Sequence, residues 1–346
     1  MAKKPQKIKF PSELRMDRVG GDWVVIATGR AKRPEMFKKE KEKGKKISQK
    51  DCPFCNLDKQ GEPILAFNNG KEVISANINT NNNWTTIVVP NKYPAFIPYD
   101  ELNEQIEGKL HKKMNAVGFH EVVITKDHNK HLAQFSIEKI KEVIDVYQKR
   151  YLMLKGKKFV NYISIFHNHG FQAGASISHP HSQIITAPLI DIDLQAALKR
   201  AKEYYEKEHE CIYCVLNEWE RKIKKRIVFE NADFLAMCPF ASKTAFEVII
   251  SPKKHFPYFE EIKEEEKWNL AEAFKKVLYK IYKGLTNPDY NFYLHTAPCD
   301  SLNYDYYHWH WTILPKTSIS AGFELGTKIE ISTIEPEKAA EYLRNI

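Results

Sequence analysis

Two histidines one residue apart, His179 and His181, stand in the run Ala173-Gly174-Ala175-Ser176-Ile177-Ser178-His179-Pro180-His181-Ser182-Gln183. If the chain is extended from Ile177 onward, side chains alternate and His179, His181 and Gln183 project from one face. Two imidazoles fixed on one face can divide labour, one binding a metal while the other attacks. Proline is tolerated at a strand's first residue, its edge or a bulge, so Pro180 predicts the start of an edge-like strand. A lone His-x-His is weak as a motif, since surface and core-edge histidines also produce it.

Cysteines supply the second chemical signal. Four of the six form Cys-x-x-Cys pairs, Cys52/Cys55 and Cys211/Cys214, while Cys238 and Cys299 stand apart and read as ordinary buried thiols. In a cytosolic chain that spacing points to metal binding before disulfide formation. A tetrahedral structural zinc takes four Cys/His ligands, commonly two from one tight turn and two from elsewhere. Cys52, Cys55, His128 and His179 make one such set; Cys211, Cys214, His255 and His308 make another, so two Zn2+ per chain are expected. In the second set His295 and His310 are nearby competitors for ligand roles.

With His179 engaged, His181 remains as a free imidazole held in a fixed orientation. A neutral histidine nitrogen is a competent nucleophile toward phosphorus. Gln183, on the same face, could donate to a phosphoryl oxygen as charge shifts in the transition state. Backbone N–H groups of Gly174 and Ala175, the Ser176 hydroxyl and the Asn168 amide are further candidate phosphate donors. No Walker loop or dinucleotide fingerprint occurs, so phosphate binding falls to such groups.

The elements that position these residues occur twice. In the first copy Cys52-Pro53-Phe54-Cys55 is followed by β-rich runs at 85–90 and 121–125, then by His128. A helix is predicted over 137–155 from apolar residues at helical spacing with Ser136 as cap, then a strand at 162–166 and the His-x-His. The second copy runs Cys211-Ile212-Tyr213-Cys214, strands at 234–237 and 246–250, His255, a helix over about 263–282, a strand at 291–295, and His308-Trp309-His310. The interval from solitary histidine to His-x-His is 51 residues in one copy and 53 in the other. The order predicts an internal duplication: an α+β chain of two tandem halves, 1–195 and 196–346, each a mainly antiparallel sheet with helices packed on it.

A length of 346 residues exceeds one ordinary core and fits two domains or one large duplicated sheet. The composition, 43% hydrophobic, is that of a globular protein. No apolar run approaches a membrane span, and the first residues lack the apolar segment of a signal peptide, so a cytoplasmic protein without membrane partners is expected. The net charge of +9 is local: residues 1–50 hold 16 Lys/Arg against 6 Asp/Glu, notably from Lys38 to Lys50. The near-neutral remainder argues against nucleic acid as a partner.

His179-Pro180-His181-Ser182-Gln183 resembles the His-Pro-His-x-Gln signature of the galactose-1-phosphate uridylyltransferase family, the nucleotidyl-transferring branch of the histidine-triad superfamily. The likeness spans nearly the whole chain. Gly29-Arg30-Ala31-Lys32-Arg33-Pro34, Cys52-Pro53-Phe54-Cys55, Asp127-His128, Asn168, Gly174-Ala175-Ser176, Pro239-Phe240-Ala241, Leu294-His295-Thr296-Ala297-Pro298 and Ala321-Gly322-Phe323-Glu324 fall in the family's order.

That resemblance implies two histidine-triad-like halves, usually in a homodimer whose sites borrow residues from the partner. It implies a ping-pong exchange in which His181 takes UMP from UDP-glucose and passes it to a hexose 1-phosphate, galactose 1-phosphate in the name-giving enzymes. Arg30, Arg33, Asn168, Ser176 and Gln183 would hold phosphates, Asn91 would lie near the uridine, and Phe323 and Glu324 would reach the sugar. Zinc would fix His179 and take no direct chemical part. Family members with iron in the second half use a glutamate shortly after the signature; 191–197 here offers no obvious equivalent, and the second Cys-x-x-Cys favours a second zinc. No glutamine follows two places after His310, so the second copy is expected to be structural. The stretch Gly322-Phe323-Glu324-Leu325-Gly326-Thr327 also resembles relatives that phosphorolyse ADP-glucose. An adenylyl-transferring or nucleotide-hydrolysing enzyme is therefore the alternative, and a non-enzymatic zinc protein binding RNA through its basic arm is a third reading.

Overall fold

The structure, a computed structural model, describes residues 12–27, 47–74 and 83–346. The proposed phosphate contacts Arg30 and Arg33 lie outside the described residues, as does most of the basic segment. The first half contains β1 (Glu13–Met16), β2 (Trp23–Ile26), β3 (Leu65–Asn68), β4 (Lys71–Val73), β5 (Thr86–Pro90), β6 (Gln105–Glu107), β7 (His111–Lys113), β8 (His120–Thr125), helix α1 (Ile137–Leu154), β9 (Tyr162–His169) and β10 (His181–Ala187). After α2 (Ile192–Glu208) and α3 (Ile212–Ile223) come β11 (Ile227–Glu230), β12 (Phe234–Met237), β13 (Val248–Pro252), α4 (Glu264–Gly284), β14 (Tyr290–His295) and β15 (His310–Pro315). The chain closes with α5 (Gly322–Thr327), β16 (Ile331–Ser332) and α6 (Pro336–Arg344).

Eleven strands form one sheet in the order β11-β12-β13-β15-β14-β9-β10-β8-β5-β3-β4. Neighbours pair antiparallel throughout it. The α+β class and the two tandem halves hold, and the halves meet edge to edge where β9 pairs with β14, Phe166 opposite Tyr293. Of the two arrangements that length permits, the duplicated sheet is the one observed, with a single core running through both halves.

Alternation explains how one sheet serves two purposes. In β9, Ile163, Ile165 and His167 are buried on the core face, while Tyr162, Ser164, Phe166 and Asn168 face the other way. In β14 the core-facing set is Tyr290, Phe292 and Leu294. Helices α1 and α4 cover that core face and meet through a Lys267–Asp145 ion pair of 2.7 Å. The start of α1 is capped as expected, with the Ser136 hydroxyl accepting from Lys139 N–H, and its apolar stripe includes Ile140, Val143, Ile144, Tyr147 and Tyr151. The opposite face is left for chemistry. None of the helices among the described residues is long and apolar enough to cross a membrane.

One expectation fails. Strand β10 is not edge-like but central, flanked by β9 and β8. Its first paired residue is His181, so Pro180 sits just outside the ladder, where its missing N–H costs no sheet hydrogen bond.

A buried ion pair ties α1 to the strand beside β10. Arg150 Nε donates to Glu121 Oε2 at 2.8 Å, and its Nη2 donates to the second carboxylate oxygen, with both side chains almost fully buried. Removing one partner leaves the other charge uncompensated. Glu121→Ala is expected to lower the unfolding free energy in urea by about 3–5 kcal/mol; a loss below about 1 kcal/mol would show that the pair behaves as a surface one.

Candidate active site and metal centres

Both expected Cys2His2 groups assemble, each with one donor atom per residue and all four atoms within 4.8 Å of one another. In the first, Cys52 Sγ and Cys55 Sγ lie 3.5 and 3.4 Å from His179 Nδ1, and Cys55 Sγ lies 3.2 Å from His128 Nδ1. A four-coordinate ion with legs of about 2.0–2.3 Å needs ligand–ligand edges of about 3.3–3.8 Å. The two edges at 3.4 and 3.5 Å fall in this range, and those from His128 to Cys55 and to His179, at 3.2 and 3.1 Å, fall just below it.

Protonation fits as well. His179 Nε2 lies 2.6 Å from the Thr125 carbonyl and His128 Nε2 lies 3.0 Å from that of Ile47. A carbonyl can only accept, so each Nε2 carries the proton and each Nδ1 turns its lone pair to the centre. The second group repeats the device, His255 donating to Asp305 O at 2.7 Å and His308 to Pro252 O at 2.9 Å. Burial, then the neighbouring Cys52, pushes the Cys55 thiol up to about 12. Two adjacent thiolates without a cation repel, which is the condition a bound dication relieves. The competitors His295 and His310 are not in the second group.

His181 opens β10 beside the first centre. Its Nδ1 lies 2.8 Å from the carbonyl oxygen of His179. By the same logic Nδ1 carries the proton and Nε2 the lone pair. Phe54, from the Cys-x-x-Cys turn, packs on the ring at a centroid distance of 4.8 Å. Burial holds the imidazole below its usual pKa. The core-facing neighbour Ser182 instead bonds Tyr147 and His167, at 2.6 and 3.0 Å.

Two amides flank His181, and both are oriented. His120 Nδ1 accepts from Ala95 N–H at 3.1 Å, so its Nε2–H donates to Gln183 Oε1 at 2.7 Å. That leaves the Gln183 NH2 for an incoming group. Asn91 stands beside the same His120 nitrogen, its Nδ2 2.9 Å away; with Nε2–H given to Gln183 this is a close approach of two donors and not a further hydrogen bond. On the other side, one step along the ladder from the Ser182–His167 pair brings Asn168 abreast of His181. Asn291, from the second half, donates its Nδ2 to Ala173 O and to Asn168 Oδ1, both at 2.8 Å. The Ala173 carbonyl fixes which end of the Asn291 amide is nitrogen, and this leaves the NH2 of Asn168 free as a donor.

The second half also holds the loop between β9 and β10. Asp289 Oδ2 accepts from Gln172 N–H at 2.8 Å, and Asn287 Oδ1 pairs with His169 Nε2 at 3.0 Å. Gly170 and Gly174 both have φ of +86° and bracket the turn. The loop differs from expectation. The N–H groups of Gly174 and Ala175 donate to Phe171 O and Gly170 O, so they close the turn and face no phosphate. Ser176 is exposed.

Comparison with known proteins places this geometry. The family model for the galactose-1-phosphate uridyl transferase N-terminal domain matches residues 2–190, and that for the C-terminal domain matches 197–346. The chain belongs to the galactose-1-phosphate uridyl transferase family. It is 32% identical over 339 residues to an ADP-glucose phosphorylase of Arabidopsis thaliana, covering 96% of this chain and 93% of the relative. Identity to a galactose-1-phosphate uridylyltransferase of Thermotoga maritima is 27% over 342 residues, covering 96% and 98%. Among solved structures, an Arabidopsis thaliana ADP-glucose phosphorylase with bound ADP-glucose superposes with a TM-score of 0.81 at 29% identity, covering 97% of this chain and 99% of that one. As a family member the chain is an enzyme of nucleotidyltransferase type.

Against this family background, Phe323 and Glu324 sit on the short helix α5, with Phe323 half exposed, and no hydrogen bond joins either to the His181 group among the described residues. His120 and Asn291 were not foreseen, because each enters through strand register. Metal analysis of the full chain is expected to give two ions, and Cys55→Ser and Cys214→Ser should each remove one. A single ion in the unmodified protein would mean that one Cys2His2 group is vestigial.

Proposed function

We propose that the chain transfers a nucleotidyl group from a nucleoside diphosphate–glucose to an acceptor phosphate through a covalent intermediate on His181. The observation that carries this is the tautomer: with Nδ1–H given to the His179 carbonyl, the Nε2 lone pair is presented between two amide NH2 groups. Nε2 attacks the α-phosphorus, the bond from that phosphorus to the bridging oxygen breaks, and hexose 1-phosphate leaves with the electron pair. An acceptor phosphate oxygen then displaces Nε2 and carries the nucleotidyl group away. Gln183 and Asn168 donate to the nonbridging oxygens as their charge grows, and Ser176, Arg30 and Arg33 are assigned to hold phosphates.

The metal in both Cys2His2 groups is read as zinc, which thiolate–imidazole sets favour. It would be held by Cys52, Cys55, His128 and His179, and by Cys211, Cys214, His255 and His308, and would supply rigidity to the strand that carries His181. Phe323 and Glu324 would contact the sugar of a neighbouring copy's site in a homodimer.

The donor on this reading is UDP-glucose, with a hexose 1-phosphate such as galactose 1-phosphate as acceptor. A second reading has a specific observation in its favour: the 32%-identical relative and the structure at TM-score 0.81 are both ADP-glucose phosphorylases. On it the donor is ADP-glucose and the acceptor inorganic phosphate.

Incubation with UDP-glucose or ADP-glucose labelled in the nucleotide, quenched in base, distinguishes them. Acid-labile label on the protein is expected, and its loss in His181→Asn. Label from ADP-glucose alone selects phosphorolysis, and label from neither donor overturns the mechanism. Asn291→Asp, which cannot donate to Asn168, is expected to slow labelling about 10–100-fold, less than the roughly 100–1,000-fold cost of removing an aligned donor itself, with metal content unchanged. An unaltered rate would show that the Asn168 amide needs no such clamp.

A further inference from the structure

The face of the sheet that carries His181 continues past the β9–β14 seam into a cavity of about 1110 Å³ in the second half. Ligand pockets commonly span about 300–1,000 Å³, so this one is large enough for a nucleotide. Its floor includes Asn291, Tyr293, His295, His310 and Thr312, and its walls come from the β1–β2 turn, α2 and α3. It lies outside the machinery assigned to His181 except at the shared wall of Asn168 and Asn291.

The floor repeats the front site. His310 opens β15 as His181 opens β10. Its Nδ1 lies 3.2 Å from the carbonyl of His308, as that of His181 lies 2.8 Å from the carbonyl of His179. The proton is therefore on Nδ1, and Nε2 has no protein partner among the described residues. His295 stacks on this ring at 4.6 Å and occupies the place beside His310 that Asn168 takes beside His181. Neither His295 nitrogen has a hydrogen-bond partner among the described residues. Thr312 replaces the glutamine, so the donor aligned for transfer is missing while the cradle persists.

The lining mixes charges: Asp17, Asp191, Asp193 and Glu247 share it with Arg18 and Lys316, while Glu220 and Asp22 are paired with Arg226 and Lys243. Arg18 and Lys316 line the cavity and form no ion pair among the described residues, whereas Lys243 is tied to Asp22 at 2.8 Å. Trp219 lines it too and remains exposed, whereas the Phe240 ring is already covered by the Arg15 and Arg226 guanidinium groups at 4.6 and 5.2 Å. Cations without an ion pair among the described residues, in a cavity that also offers the open face of Trp219, suit a phosphate joined to a flat base.

We infer that this cavity is a second, non-transferring nucleotide site, in which a nucleoside phosphate sets its base on the exposed Trp219 and its phosphate toward Lys316 and Arg18, with His310 Nε2 and His295 accepting from its hydroxyls. The choice of a nucleotide rests on the nucleotidyl reading of the first half; the cavity and its unpaired groups do not.

Equilibrium dialysis of the full chain against labelled AMP and UMP tests it. Two equivalents bound per chain are expected with at least one of them. Lys316→Glu, a rim change, and His310→Ala should each leave one equivalent, with the extent of acid-labile labelling at His181 unchanged. No binding, or a single equivalent that persists in both variants, overturns the second site, as do two equivalents in both variants. If His181 takes no label yet one equivalent disappears in Lys316→Glu, the second site stands and the transfer reading falls. Label at His181 with a single equivalent that persists in both variants gives the reverse.

Discussion

The pairing of β9 with β14 is the contact on which the rest of the molecule depends. It makes one sheet and one core out of two tandem copies. It also sets Asn291 of one copy against Asn168 of the other. A register slip of one residue would turn every side chain of a strand to the opposite face. Asn168 would then enter the core and His167 would leave it. The alternation Ile163, Ile165, His167 against Ser164, Phe166, Asn168 opposes such a slip, because a large apolar set must remain beneath α1 and α4.

A second device recurs across the sheet. His128, His179, His181, His255, His308 and His310 each place one ring nitrogen against a backbone carbonyl. All six acceptors belong to the backbone, two of them, Thr125 and Pro252, within strands, so the tautomer of each ring is set by fold rather than by side-chain partners. Four of these rings present Nδ1 to a Cys2His2 centre, and two present Nε2 to open space. Which nitrogen is left over decides between ligand and nucleophile, and the His-x-His spacing delivers one of each per copy.

Much of this was legible in the sequence because the chemistry requires particular residue types. A Cys2His2 centre shows itself as cysteines and histidines in repeated order, and the matched intervals of 51 and 53 residues identified both sets before any coordinates. Strands and helices with clean periodicity, such as 137–155, were equally visible. What stayed hidden depends on register and on hydrogen-bond direction. Nothing local to His120 says that it will orient Gln183, and nothing in Asn291 says that it will cross the seam. The Gly174 loop misled for a related reason: glycines at positive φ mark a turn, and a tight turn consumes its own N–H groups. Pro180 suggested an edge strand because its position relative to the first paired residue could not be read from the sequence.

Gly170 draws these threads together. A Cβ placed there would fall 2.0 Å from Asp289 Oδ1, well inside contact distance, on a backbone already at φ +86°. The carboxylate stands where a methyl group would be. The loop and the strand that grips it are therefore matched like a key cut against one lock: the two copies, once interchangeable as duplicates, can no longer vary independently. A side chain at 170 would meet both the carboxylate of Asp289, more than a hundred residues away, and a backbone that favours glycine, so a change at 289 alone would not make room for it.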